Sequence, residues 1–229
     1  MNNRIGLVGS LALLLLTWGV SAWAWTVLPA SGRFPVHWGI RGTANGYGDR
    51  FEVVALLPLT MMAVTALFAV LPRLDPRRPH LQQSGRSYAA VWIAVLALLA
   101  ALQVALVLSA LGRRIDVAEI ALAGAGALFV VVGLTLGPVR SNFVFGVRTP
   151  WTLASERVWR ETHRVAGPVF GLLGAVVILA AVFTSNQIAL WVLLAGLVAV
   201  ALGLSAYSYV IWRPDDGERQ PGRQPWSPR

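Results

Sequence analysis

The residues of this chain best equipped for chemistry crowd into one stretch, 139–167. It carries Arg140, Arg148, Arg157, Arg160 and Arg164, the acid Glu161, two tryptophans and His163, one of 3 histidines in 229 residues. Arg148, Arg157, Arg160 and Arg164 could clamp a phosphate, with Glu161 or His163 as acid or base. Phosphate chemistry ordinarily also draws on a metal held by clustered carboxylates, and no such cluster occurs, so an enzyme acting on lipid or cell-wall intermediates is the weakest reading. Arginine and tryptophan at a membrane surface also serve topology and anchoring, and that plainer reading stands beside the chemical one. A second stretch, 29–52, holds His37 with only Asp49 and Glu52 nearby and no histidine at ligand spacing, so no metal site is expected. No cofactor is expected either.

The elements that must position these residues are membrane spans. The chain is 56% hydrophobic and 13% charged, with mean hydropathy +0.64, far more apolar than a soluble domain. Crossing about 30 Å of hydrocarbon takes roughly 20 apolar residues as a helix. Six stretches qualify, near 5–28, 53–71, 88–111, 118–138, 166–184 and 189–211. The fold class expected is all-α, a polytopic membrane protein with six transmembrane helices. Ala22-Trp23-Ala24 raises a cleaved signal peptide. An uncleaved span is preferred, because the apolar run from Ile5 to Leu28 is long for a signal and Trp23 and Trp25 suit an interface.

All 19 basic residues are arginine, and the net charge is +9. Their placement between apolar spans points to topology and to anionic lipid headgroups, not to nucleic acid. With the N-terminus inside, Arg4, the arginines of 73–86, the five of the central loop and the four from Arg213 onward fall on one side. Arg33, Arg41, Arg50, Arg113 and Arg114 fall on the other. The positive-inside rule then makes both termini and the 139–167 loop cytoplasmic and turns 29–52 outward. Without cysteine, disulfides and thiolate sites are excluded.

The outward stretch has two prolines, five glycines and an Asn45-Gly46 pair, which predict a chain of tight turns. Pro35, His37, Trp38, Gly42, Asn45 and Tyr47 are its candidate partner-binding residues, against the plainer reading of a compact cap on the helices. Residues 72–87 read as an ordinary solvated loop. In the central loop, Thr149-Pro150 predicts a helix start, and Trp151, Val158, Trp159, Thr162 and Val165 predict one interfacial amphipathic helix running into the fifth span. Glu156 and Glu161 are at helical spacing for pairing with Arg157, Arg160 or Arg164. Gly133 and Gly137 in the fourth span, and Gly167 and Gly171 in the fifth, would let those two helices approach closely. Gln103, the one strongly polar residue deep in a span, suggests an interhelical hydrogen bond. The scarcity of ionisable groups within the spans weighs against the main alternative, a small permease or lipid/peptide transporter.

The run Asn142-Phe143-Val144-Phe145-Gly146-Val147-Arg148-Thr149-Pro150-Trp151-Thr152-Leu153, followed by Trp159 and Thr162-His163-Arg164, resembles the signature of the SdpI family of bacterial membrane proteins. The pattern from Leu28-Pro29 through Pro35-Val36-His37-Trp38 to Gly46-Tyr47-Gly48 resembles the uncharacterised domain that usually precedes it. The resemblance implies six helices, divided here into an N-terminal unit 1–87 and a four-helix unit 88–212; the tail 213–229, rich in proline, arginine and acidic residues, is expected to be disordered. It also implies a non-enzymatic protein of the bacterial cell membrane. Its best-known member protects a toxin-producing bacterium from its own secreted peptide and holds a cytoplasmic repressor at the membrane. The partners implied are an extracellular peptide toxin and a cytoplasmic transcriptional regulator, beside the membrane lipids.

Overall fold

A computed structural model describes residues 4–217, with side chains described as far as Arg213. In chain order the elements are α1 (Arg4–Val27), β1 (Phe34–Trp38), β2 (Ala44–Gly48), α2 (Arg50–Leu74), α3 (Arg78–Gln83) and α4 (Gly85–Ala110). They continue with α5 (Val117–Leu136), α6 (Pro150–Ala154), α7 (Glu156–Phe183) and α8 (Asn186–Gly217). Six of these, α1, α2, α4, α5, α7 and α8, are long and apolar enough to cross a membrane. The chain is a multi-pass membrane protein, as its composition predicts.

Helix boundaries follow capping chemistry. Asp49 and Glu52 form a reciprocal capping box at the start of α2. Asp116 accepts from the Glu119 amide to open α5. Helix α8 runs on through Gly217, past the boundary at 212 expected from sequence, and the rest of the expected tail lies outside the described residues.

Two packing units share the membrane. In the first, α1, α2 and α4 bury Ala24, Val53 and Val107 near one end, and Met61, Trp92 and Leu96 nearer the other. Gln103 stitches all three helices: its amide donates to the Ser21 hydroxyl of α1 and to the Val53 carbonyl of α2, each at 3.0 Å. The expected interhelical bond of Gln103 is therefore a double one. In the second unit α5 lies directly on α7. A Cβ on Gly133 would meet the Gly167 carbonyl at 2.6 Å, and one on Gly126 would meet the Gly174 carbonyl at 2.7 Å. Backbones this close exclude any side chain between them. Gly133 meets the backbones of both Gly167 and Gly171, as expected, but space is open around a Cβ at Gly137, and Gly126 and Gly174 extend the contact beyond the expected residues.

The expected chain of tight turns at 29–52 is instead an antiparallel hairpin pairing Phe34 with Gly48, Pro35 with Tyr47, His37 with Gly46 and Trp38 with Ala44. Alternation explains it: Phe34, Val36 and Trp38 pack onto the core around Ala24, Leu28 and Val53, while His37 is exposed on the other face. The structure corrects the single amphipathic helix as well. Ser155 is extended (φ −140°, ψ 123°) and caps α7, so α6 and α7 are separate helices.

Candidate functional site

Contacts sort the polar residues onto two ends of the bundle. One end gathers the hairpin, the α4–α5 connection and the start of α8. There the amide of Asn186 donates to Asp116 (2.8 Å), and Gly42, at φ +74°, lies against both, leaving no room for a Cβ beside Asn186. Gly42 is thus a docking point of the hairpin on the helices. His37 Nδ1–H donates to Oδ1 of Asn45 at 2.6 Å, across the strands. His37, Asn45 and Tyr47 are exposed, whereas Pro35 and Trp38 are half-buried. Beside them a groove of about 280 Å³ runs between the hairpin and the helix ends, lined by Val36, Trp38, Ile40, Val117 and Leu190.

The other end holds the 139–153 loop, and here the structure brings the expected residues together most closely. Buried Asn142 organises its first turn: its side-chain oxygen accepts from the amides of Val144 (2.9 Å) and Phe145 (2.7 Å), and its nitrogen donates to the Arg140 carbonyl. The Arg148 guanidinium donates back to the Phe143 carbonyl. Thr149 and Thr152 cap α6 reciprocally; the Thr152 hydroxyl also donates to the Val147 carbonyl, and Thr149 meets Ser208 of α8 at 3.0 Å. Pro150 takes the first helical position, where its missing N–H costs nothing, and Trp151 leans on Tyr209 with ring centroids 5.1 Å apart.

Two fully buried side chains of α7 fasten this loop. The Trp159 indole N–H donates to the Val139 carbonyl at 2.7 Å. His163 uses both ring nitrogens: Nδ1–H donates to the Trp159 carbonyl (2.9 Å) and Nε2 accepts from the Val147 amide (3.1 Å). These bonds fix the neutral tautomer with its proton on Nδ1. Gly146 passes over the pair at φ +123°, and a Cβ there would overlap Nε2 of His163. Thr162 is buried, its hydroxyl without a hydrogen-bond partner. Arg164 is exposed and, like Arg160, makes no ion pair among the described residues. Glu156, at helical spacing for Arg160, instead lies 3.7 Å from Nδ1 of His80.

Residues 72–87, read from sequence as a solvated loop, are part of this site. Asp75 is buried; its carboxylate accepts from the amides of Arg77 (2.7 Å) and Phe143 (3.1 Å). Arg77 donates to Ser141 and to the Leu153 carbonyl, His80 Nδ1–H donates to the Ser141 carbonyl, and the Ser84 hydroxyl accepts from the Arg140 amide. A mix of Asp, Pro and Arg looks the same in sequence whether it faces solvent or another loop. The only available clue was Asp75-Pro76-Arg77, where a carboxylate can cap a turn of its own backbone.

Residues 138–208 match the SdpI/YfhL protein family, and residues 12–62 match the Domain of unknown function (DUF1648). Among curated proteins the chain is similar to the "Immunity protein SdpI" of Bacillus subtilis (strain 168), 31% identical over 116 residues, which are 50% of this chain and 56% of that one. The match thus spans little more than half the length of the curated relative. No solved structure matches the chain. The family segment covers the whole of the loop together with α6, α7 and most of the membrane-spanning part of α8, the elements that Trp159, His163 and Thr149 hold in one piece. The chain thus carries a segment of the SdpI/YfhL protein family at 138–208, preceded by a DUF1648 domain at 12–62.

Proposed function

We propose that this is a non-enzymatic, immunity-type protein of a bacterial cell membrane, with both termini and the 139–153 loop cytoplasmic, which protects against an extracellular peptide toxin engaged at the hairpin. The observation that carries the reading is the groove of about 280 Å³ between hairpin and helices, with the His37–Asn45 pair beside it. An apolar slot edged by a few fixed polar groups suits a peptide side chain. The arginine distribution supports the orientation. A non-enzymatic role is supported by His163, the candidate acid or base of the arginine-rich loop, whose two ring nitrogens are both committed to backbone groups. Arg160 and Arg164, exposed and without an ion pair among the described residues, favour a further role, in which the cytoplasmic face meets an acidic surface of a transcriptional regulator.

The test is survival. Bacteria sensitive to secreted peptide toxins are transformed with the parent chain, His37→Ala or Trp38→Ala and challenged with each peptide, with membrane abundance measured in parallel. Protection against one peptide, lost in both variants at unchanged abundance, is the expected result. Protection by the parent that neither variant diminishes removes the hairpin from the mechanism.

A further inference from the structure

The loop end of the bundle contains a second cavity, distinct from the hairpin groove. Helix α4 packs on α5, and α8 packs on α7 and, less extensively, on α5. Between α4 and α8, open to the bilayer, lies a cleft of about 470 Å³ whose floor is Val132 and Leu136 of α5 and Phe170 of α7. Its walls include Val91 on one side and Ala201 and Ser205 on the other, and residues 144–149 roof it.

The polarity of this cleft is graded. Its depth is aliphatic and aromatic. At the roof stands Arg148, which spends one N–H on the Phe143 carbonyl and is otherwise exposed. Lining the same cleft on α8 is Ser205, whose carbonyl accepts from Ser208 while its own hydroxyl has no hydrogen-bond partner among the described residues. A charged donor fork and a free hydroxyl above an apolar slot match a molecule with an anionic head and a hydrocarbon tail. The dimensions favour a lipid chain over a helix, because a helix about 10–12 Å across would fill the volume within about one turn.

We infer that this cleft is a binding site for an anionic phospholipid of the leaflet facing the loop. The phosphate meets Arg148 and Ser205, and one acyl chain lies along Val132 and Phe170. A bound lipid would brace 144–149 from below, as His163 and Trp159 brace it through α7. The site stands independently of the protective role proposed above.

The test uses the full chain purified in mild detergent, with phosphatidylglycerol or phosphatidylcholine added and retained lipid counted by native mass spectrometry. The expected result is at least several-fold greater retention of phosphatidylglycerol, reduced several-fold by Arg148→Gln and less by Ser205→Ala. Ala201→Trp, on an exposed position of α8, should close the cleft and abolish retention without touching the loop. Equal retention of the two lipids overturns the inference. So does phosphatidylglycerol retention unchanged in both Arg148→Gln and Ala201→Trp. If Ala201→Trp leaves lipid bound but abolishes self-association, the cleft takes a second copy of the chain instead.

Discussion

The imidazole of His163 lies flat on the indole of Trp159, ring centroids 4.0 Å apart and planes 18° from parallel. One turn apart on α7, they grip opposite ends of one segment: Trp159 holds the carbonyl of Val139, and His163 the amide of Val147. The stack is a clasp that closes the loop 139–147 onto the helix.

Trp159→Phe keeps the stack but leaves the Val139 carbonyl without its donor, and His163→Ala leaves the Val147 amide without its acceptor. Each orphaned buried group costs about 1–3 kcal/mol. Both variants should melt earlier in detergent, and the double variant should lose less than the two effects added, because either single change already opens the clasp. Strict additivity would mean that the two anchors act separately.

Gly146→Ala requires an L-residue at φ +123° and a methyl group where His163 Nε2 stands. A destabilisation of about 2 kcal/mol or more is expected. Limited proteolysis should cut first within 142–149. A variant as stable and as resistant as the parent would show that the backbone there has another conformation open to it.

Asp75→Ala removes the acceptor for the amides of both Arg77 and Phe143. Asp75→Asn retains a side-chain oxygen and should fall between parent and alanine variant. Hydrogen exchange at Phe143 should quicken in the order parent, asparagine, alanine. Exchange at Phe143 that is equal in all three would separate residues 72–87 from the loop.

Gly133→Ala places a methyl group 2.6 Å from the Gly167 carbonyl, where only the separation of α5 and α7 can relieve it, whereas a Cβ at Gly171 meets open space. The first substitution should lower the melting temperature by several degrees. Gly171→Ala should leave it unchanged or raise it slightly, since alanine favours helix by about 1 kcal/mol over glycine. Reversed effects would refute the contact.

The spans were legible because length and hydropathy act locally. A run from Ile5 to Leu28 must be satisfied inside a bilayer whatever surrounds it, and the helix start at Thr149-Pro150 was legible because Thr149 caps its own backbone; the caps at Asp49 and Asp116 emerged only with the structure. The resemblance to the family was legible too, since the run from Asn142 to Leu153 with Trp159 and Thr162-His163-Arg164 lies within a short stretch of chain. Tertiary structure decided what those residues do: His163 reads in sequence as an acid or base, and only the approach of Val147 to Nε2 makes it an acceptor with its proton held elsewhere. It also decided the role of Asp75. Asp75 and Phe143 are far apart in sequence, and a carboxylate that caps its own turn looks the same whether its second oxygen faces water or another loop's amide. Local periodicity and capping are written residue by residue, but a hydrogen bond between distant loops exists only once α2, α5 and α7 have packed and brought their ends to the same face of the membrane.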